Sequence, residues 1–257
     1  MDETEELIRL SARALVAQMA DVPGAELHLA GNCALGLTGE PLADFNILTV
    51  GINPHAEALL TQWVARVKAR GLPLLVVMGP HVAPTLAPVA TALGLTPAGA
   101  APLMVLRAGT AVRPDPAVRV TRALGAELVA IAGDLAAAAF DLPRDVVARC
   151  LDVVMTETSG VETYIAWRRD EPMSAVSVTP AGTTAAISAM ATRPAHQGKG
   201  LGRALLAQVI DDYRGRGVQR FYLTATEAGR PLYASMGFET IAEVSAWILA
   251  MPNQASG

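Results

Sequence analysis

Two periods of hydrophobic spacing organise the second half of the chain. Apolar residues on one side of a 3.6-residue repeat predict a helix over residues 201–216, which Gly217 ends. The same pattern predicts helices over 126–140 and 144–156. Short or alternating apolar runs between turn residues predict a short helix at 229–236 and strands over 117–123, 162–168, 173–179, 183–192, 220–224 and 238–249. This order is typical of an α+β fold with a mixed, largely antiparallel sheet.

A glycine-rich run lies at the start of the 201–216 helix. The chain reads Gln197-Gly198-Lys199-Gly200-Leu201-Gly202. Because the three glycines carry no side chains, several backbone N–H groups are left unshielded. The positive end of the helix dipole lies at the same place, which predicts a site for a phosphate or pyrophosphate. A dinucleotide fingerprint is the alternative. It would lead to an acidic residue at the end of the next strand, whereas strand 220–224 is followed by Ala225 and Thr226.

Composition and charge exclude several classes of protein. The net charge is −4 and no block of Lys or Arg occurs, which argues against a nucleic-acid partner. The longest apolar tract, near residues 128–142, contains Asp134 and is too short to span a membrane. The acidic first residues do not resemble a secretory signal, so we expect a cytoplasmic protein. Cys33 and Cys150 lack the spacing of metal ligands, so we expect no metal site. A disulfide between them is one alternative, but we expect two buried free thiols.

Two stretches resemble signatures of the GNAT superfamily of N-acetyltransferases. Within the run from Thr192 to Leu206, residues 197–202 match the acyl-CoA loop pattern of Gln, two residues, Gly, one residue and Gly. Leu232-Tyr233 and Gly237-Phe238 are similar to the second signature, Leu-Tyr-x-x-x-Gly-Phe. The two stretches occur in the family's order and at a usual separation. The resemblance covers about residues 117–249.

The resemblance implies the acyl-CoA N-acyltransferase fold, with acetyl-CoA entering a V-shaped gap between two diverging parallel strands. It implies that the pantetheine arm pairs with the strand before the loop, that a backbone N–H there stabilises the developing oxyanion, and that Tyr233 protonates the departing thiolate. A structural role for Tyr233 beside Phe238 is the alternative. The residues expected to bind the cofactor are Met190, Ala191, Thr192, Gln197, Gly198, Lys199, Gly200, Leu201, Gly202, Arg203, Thr226 and Tyr233.

The chain departs from the family at the general base. Many relatives carry a Glu in the strand before the loop, but residues 183–192 contain no acid. The Asn often found before the short helix is replaced by Thr226. Glu162 and Glu239 are weak candidates for the base; otherwise the amine must arrive with a lowered pKa. The missing acid favours a non-catalytic acyl-CoA-binding or regulatory module as the alternative to an enzyme.

The first half contains a weak copy of the second. Residues 58–62 and Arg70-Gly71 recur 146 positions later, and Leu93-Gly94-Leu95 resembles Met236-Gly237-Phe238 at an offset of 143. We therefore expect strands near residues 26–29, 33–37, 45–50 and 73–78. At the offset of 146, Pro54 replaces Gly200 and has no N–H to donate, so no cofactor loop is expected there. We therefore predict two units in tandem, a degenerate GNAT-like unit over 1–113 and an acetyltransferase unit over 114–257.

The sequence thus predicts an enzyme that moves an acetyl group from acetyl-CoA to a primary amine by direct attack in a ternary complex. The acceptor would be a small molecule or a peptide. We expect no nucleic-acid or membrane partner, and either a monomer or a homodimer.

Overall fold

The computed structural model describes residues 2–154 and 160–251. The chain folds into two compact units. The first unit comprises Met1–Leu103, Thr224–Glu227 and Thr240–Gly257, and the second comprises Met104–Leu223 and Ala228–Glu239. These units are defined by packing, whereas the units over 1–113 and 114–257 are defined by a sequence repeat, so the latter division stays a prediction.

The first unit is a sheet covered by helices. Its strands β1 to β4 and β11 lie in the order β1-β2-β3-β4-β11, with β3 and β4 parallel and the other neighbours antiparallel. The elements are α1 Glu3–Met19, β1 Glu26–Ala30, β2 Cys33–Leu37, β3 Asn46–Val50, α2 Ala56–Ala69, β4 Leu74–Met78, α3 Ala83–Ala92 and β11 Glu239–Leu249, while β5, Thr96–Leu106, leaves this unit after Leu103. The four strands expected in this half are confirmed.

Strand β2 shows how residue size sets the packing of the first unit. All five of its residues are buried. Cys33, Leu35 and Leu37 pack into a cluster with α2 and α3, whereas Ala34 packs with α1. A Cβ on Gly36 would lie 2.5 Å from the sulfur of Met19. Small residues therefore alternate with large ones so that α1 approaches the sheet closely.

The second unit follows the order predicted from the sequence. Its strands lie in the order β10-β9-β8-β7-β6, in which only β9 and β10 are parallel. The elements are β6 Arg119–Arg122, α4 Ala126–Phe140, α5 Arg144–Arg149, α6 Leu151–Val154, β7 Glu162–Arg168, β8 Glu171–Ala181, β9 Thr184–Thr192, α7 Leu201–Gly215, β10 Arg220–Thr224 and α8 Arg230–Ser235. The mixed α+β fold is confirmed.

Some boundaries differ from the prediction. The helix expected over 144–156 is interrupted at Cys150, and its predicted end at Thr156 lies outside the described residues. The strand predicted over 173–179 is longer in the structure, so that Pro172 and Pro180 lie inside β8. The strand predicted over 238–249 is the single strand β11, which begins one residue later, at Glu239.

Helix α7 packs on β7, β8 and β9 through its predicted apolar stripe, which is buried throughout. On β7, Ile165 and Trp167 belong to the cluster formed with α4, whereas Tyr164 contacts Tyr213 of α7. Helices α4 and α7 therefore pack against alternate residues of β7, as the two-residue repeat of a strand requires.

The internal repeat is visible in the elements. Helix α2 joins the parallel strands β3 and β4, just as α7 joins the parallel strands β9 and β10. Strand β4 lies 146 positions before β10, and β5 lies 143 positions before β11, at the two offsets found in the sequence. Within the described residues no helix is both long and apolar enough to cross a membrane. Cys33 and Cys150 are buried free thiols, as expected.

Candidate active site

The site begins where the two parallel strands of the second unit part. Their pairing runs from Thr184 with Arg220 to Ala186 with Tyr222, and β9 then continues to Thr192. No further partner of β10 on β9 occurs among the described residues. The last six residues of β9 thus present an edge that β10 does not cover, at the place where the resemblance implies a gap between the two strands.

A bulge distorts β9 beside this gap. Its register with β8 shifts between the pairs Ala175–Ala191 and Ser177–Ser188, and Ala189 has a φ of +47°. A left-handed Ala is uncommon and marks a strained position. The Ser174 hydroxyl donates to the Ala191 carbonyl at 2.6 Å and lies 2.8 Å from the Thr192 hydroxyl, which holds the strand on the far side of the bulge.

The ladder beyond the bulge sets the direction of the Thr192 amide. The amide of Arg193 donates to the Met173 carbonyl at 3.0 Å. Successive amides of an antiparallel strand point to opposite edges. The Thr192 N–H therefore points away from β8, toward the gap.

The loop after β9 leaves a row of backbone amides without partners. The amide of Gln197 donates to Pro194, and the next backbone bond is from Ala204 to Gly200. Between them, the amides of residues 198–203 donate to no described residue. Three of these residues form the first turn of α7, where amides have no intrahelical acceptor. The row is therefore an anion site of the kind that helix N-termini provide.

The three glycines of the loop have two different roles. Gly198 and Gly200 have φ values of +72° and +78°, a conformation that other residues adopt only with strain. Gly202 instead permits close packing: a Cβ there would lie 2.8 Å from the Met190 methyl and 3.2 Å from the Thr192 hydroxyl. Gly202 thus lets the first turn of α7 lie directly on the end of β9.

Side chains around the loop hold its shape. The side-chain amide of Gln197 donates to the Thr192 carbonyl at 3.1 Å, and the Lys199 ammonium donates to the Ala195 carbonyl at 2.9 Å. The Arg203 guanidinium donates to the Ser235 hydroxyl of α8 at 3.1 Å, and Leu201 is buried. Of the predicted cofactor residues, those of β9 and the loop therefore lie together at the start of α7.

Tyr233 lies on α8, between two residues that contact the first turn of α7. Leu232 faces Gly202 and Ser235 accepts from Arg203. The Tyr233 ring is 8 % exposed and packs edge-on against Phe238. Burial raises the pKa of Tyr233 to about 12. Its hydroxyl makes no hydrogen bond to another residue in the described part of the chain, so it is a proton donor without a partner in the fold.

Comparison with known proteins identifies this unit. The model of the GNAT acetyltransferase family matches residues 136–238, which include the loop, α7 and Tyr233. These residues form a GNAT acetyltransferase domain. No curated protein sequence is similar enough to this chain to count as a relative.

Solved structures share the fold over nearly the whole chain. A GCN5-related N-acetyltransferase from Kribbella flavida superposes with a TM-score of 0.73 at 17 % identity, covering 96 % of this chain and 95 % of that one. A tandem GNAT protein from the clavulanic acid biosynthesis pathway gives 0.61 at 16 % identity, covering 95 % and 93 %. A GCN5-related N-acetyltransferase from Sphaerobacter thermophilus gives 0.57 at 15 %, covering 96 % and 93 %. The fold shared with the tandem protein therefore extends beyond the GNAT domain into the first half.

Of the two weak candidates for the general base, Glu162 lies far from the amide row of this GNAT domain. Glu162 accepts two hydrogen bonds from Arg216, just beyond the end of α7. At 1.5 Å per residue, that end lies about 20 Å from the amide row. Glu239 is exposed and lies 3.9 Å from the Arg107 guanidinium. Thr226 lies in the segment Thr224–Glu227, which belongs to the first unit, so its role stays a prediction.

The first unit closes its equivalent loop with its own carboxylate. At the offset of 146, Ile52 corresponds to Gly198. Its amide donates to the carboxylate of Glu5 at 2.9 Å, and the Asn32 side chain donates to the same oxygen at 3.2 Å. Glu5 is 3 % exposed. The loop, residues 51–55, is also three residues shorter than residues 193–200 of the GNAT domain.

Sequence reasoning missed Glu5, Ser174 and the bulge at Ala189. Glu5 reads as an ordinary acidic residue in the first turn of α1, and Ser174 as one polar residue in a strand. Alanine gives no signal of a left-handed conformation. Each is revealed only by a contact or a dihedral angle of the folded chain.

Proposed function

We propose that this protein transfers an acetyl group from acetyl-CoA to a primary amine by direct attack in a ternary complex. The observation that carries the proposal is the row of unpartnered amides at residues 198–203, placed at the end of a strand whose edge is free. Acetyl-CoA is the cofactor that GNAT proteins generally use, and it supplies an activated acetyl thioester. We further propose a cytoplasmic location and a monomer or homodimer.

The residues present fit this cofactor. The amides of Gly198 to Arg203 would hold the pyrophosphate, since charge-assisted bonds to anionic oxygens are stronger than neutral ones. The free edge at Met190, Ala191 and Thr192 would pair with the amide groups of the pantetheine arm. The Thr192 N–H, which faces the gap, would stabilise negative charge on the carbonyl oxygen.

Two further requirements concern protons. The hydroxyl of Tyr233 would donate a proton to the thiolate, and its raised pKa keeps it protonated until then. No carboxylate lies on β9. The amine would therefore lose its proton to a group outside β9 or arrive neutral, and alignment of the two substrates would supply much of the rate.

Release of free thiol from acetyl-CoA across a panel of amines tests the proposal. We expect turnover with at least one amine and none without an acceptor. The absence of an acid on β9 favours one alternative, a non-catalytic acyl-CoA-binding or regulatory module. Tight CoA binding without turnover on any amine would support that alternative and overturn the enzyme.

A pair of variants tests the placement of the pyrophosphate. Gly200→Pro removes one amide and requires a φ near −65°, so we expect loss of CoA binding by calorimetry. Gly200→Ala keeps the amide and meets no atom within 4 Å, although its φ is strained. It should bind CoA more weakly than the wild type but measurably. Unchanged affinity in Gly200→Pro would show that the pyrophosphate lies elsewhere.

A further inference from the structure

Ser174 of β8 is fully buried beside the peptide group that joins Ala191 to Thr192. Its hydroxyl donates to the Ala191 carbonyl at 2.6 Å, which is at the short end of the range for a bond between two oxygens. The C=O and N–H groups of one trans peptide point in opposite directions. The carbonyl that Ser174 binds therefore belongs to the same peptide group as the Thr192 N–H, which points toward the gap.

The Thr192 hydroxyl determines how the protons of this contact are arranged. It lies 2.8 Å from the Ser174 hydroxyl. A serine hydroxyl has one proton to donate, and Ser174 uses that proton in the bond to the Ala191 carbonyl. Thr192 must therefore donate to Ser174, and the two hydroxyls form a chain that ends on the peptide carbonyl. Hydrogen bonds in such a chain polarise one another, so each strengthens the next.

A bond to the carbonyl also changes the N–H of the same peptide group. Because the C–N bond has partial double-bond character, electron density drawn toward the oxygen leaves the nitrogen more positive and its N–H a stronger donor. The bond to Ser174 also restrains the plane of the peptide. This restraint lies beside the bulge, where Ala189 has a φ of +47° and the pairing of β8 and β9 shifts register.

We propose that Ser174 is a positioning residue for acetyl transfer, which orients and polarises the Thr192 N–H through the Ala191 carbonyl. The inference rests on the proposed function, which assigns the developing oxyanion to that N–H. Ser174 is fully buried and its hydroxyl is occupied by β9, so it contacts neither substrate itself. It gains and loses no proton while the amine bonds to the acetyl carbon and the C–S bond breaks.

Ser177 offers a matched control on the same strand. It is 3 % exposed, and its hydroxyl lies 2.9 Å from that of Thr163. Ser177 pairs with Thr163 of β7, whereas Ser174 pairs with Ala166, so the two serines lie three residues apart and face opposite sides of the sheet. Replacing either serine by alanine removes one buried hydroxyl from β8, but only Ser174→Ala removes the one that binds the Ala191 carbonyl.

Exchange of the Thr192 amide proton with solvent, followed by NMR in the ligand-free chain, tests the assignment without turnover. Base-catalysed exchange passes through an amide anion whose charge lies largely on the carbonyl oxygen, and a hydroxyl bound to that oxygen stabilises the anion. Ser174→Ala should therefore slow the exchange about fivefold, as expected for the loss of one typical hydrogen bond. Simple loosening of the strand would instead make the exchange faster. Ser177→Ala should leave the rate unchanged.

Turnover and binding should respond differently to Ser174→Ala. With the best amine of the panel, kcat should fall roughly threefold to tenfold, because a weakened oxyanion donor costs less than the 10²–10³ lost when a donor is removed. The Kd for CoA, measured by calorimetry, should be unchanged, since the amides of residues 198–203 are untouched. Unchanged CoA binding also demonstrates that the variant is folded. Ser177→Ala should keep both the wild-type kcat and the wild-type Kd.

The outcomes separate this inference from the proposed function. Unchanged or faster amide exchange in Ser174→Ala, or a fall in kcat no larger than that of Ser177→Ala, would overturn the inference and leave the proposed function standing. Loss of CoA binding in Ser174→Ala would assign the hydroxyl to the stability of the fold and would overturn the inference as well. A wild type that turns over no amine would overturn the proposed function and this inference with it.

Discussion

At the scale of single residues, Tyr233 combines a buried ring with a hydroxyl that no described residue binds. Burial raises its pKa to about 12. A tyrosine whose only role is to pack would not need the hydroxyl. The Tyr233 hydroxyl is not among the fully buried polar atoms that lack a partner, so it is accessible to a ligand. The most economical explanation is that the hydroxyl serves a ligand.

The substitution Tyr233→Phe separates catalysis from packing. General acid catalysis contributes about 10²- to 10⁴-fold, so we expect kcat to fall by at least about a hundredfold while KM for acetyl-CoA changes little. The thermal midpoint should be nearly unchanged, because the ring and its contact with Phe238 remain. In the wild type, ionisation of Tyr233 should not reduce activity below about pH 10, since the protonated acid is the active form. Full activity in Tyr233→Phe would assign the residue to the core.

At the scale of elements, the end of α7 is attached to β7 by a polar network. Arg216 follows the helix, donates to both carboxylate oxygens of Glu162 at 3.1 and 2.9 Å and lies 3.6 Å over the Tyr213 ring. Tyr164 donates to Glu162 at 2.8 Å. Because the amide row occupies the other end of α7, this network orients the helix without taking part in the site.

The acid stability of the protein should depend on Glu162. Burial raises the pKa of Glu162, but the hydrogen bonds from Tyr164 and Arg216 outweigh it, so the pKa lies below its usual 4.5. The folded pKa is thus below the unfolded one, and the stabilisation present at neutral pH is lost as the pH falls through the folded value. Glu162→Gln should lower the free energy of unfolding by about 1–3 kcal/mol at pH 7 and by much less at about pH 3.5.

Urea denaturation at the two pH values measures this difference. Asp145→Asn is the control, because Asp145 is exposed and pairs with Arg149 on the surface of α5, so its removal should change stability little at either pH. A Glu162→Gln deficit of the same size at neutral and at acid pH would contradict an electrostatic origin.

At the scale of the whole molecule, a repeated architecture carries one predicted cofactor site. Both units contain a parallel strand pair joined by a helix. In the second unit the loop amides lack partners among the described residues, whereas in the first the Ile52 amide is bound by Glu5. Pro54, at the position equivalent to Gly200, has no amide hydrogen. In the first unit the carboxylate of Glu5 therefore occupies the place at which we expect the second unit to bind the phosphates of the cofactor.

The binding stoichiometry of CoA tests this asymmetry. Isothermal titration should give one CoA per chain, and Gly200→Pro should abolish that single event. Two sites per chain, or a residual site in Gly200→Pro, would show that the first unit also binds the cofactor.

Local sequence signals determined the elements and the loop. The limits of α4 and β10 follow from apolar periodicity and turn residues, and the tandem arrangement from repeats at offsets of 146 and 143. The glycine loop is equally local, because its left-handed residues and the helix behind it are contiguous. Such features are readable in a single stretch of chain, since their causes act between neighbours.

Only the tertiary structure decided which groups meet. Glu5 reaches Ile52 across 47 positions, and Arg214 holds the carbonyl of Thr110 across 104. Ala189 is left-handed at the bulge where the pairing of β8 and β9 shifts register. The tertiary structure also removed Glu162 from the gap by placing it at the far end of α7. These contacts depend on how distant elements pack, and packing is set by the sum of many weak, nonlocal interactions that no short motif encodes. The sequence alone therefore predicted the cofactor loop. The fold decided that the loop amides of the second unit have no described partner, whereas the Ile52 amide of the first unit is bound by Glu5.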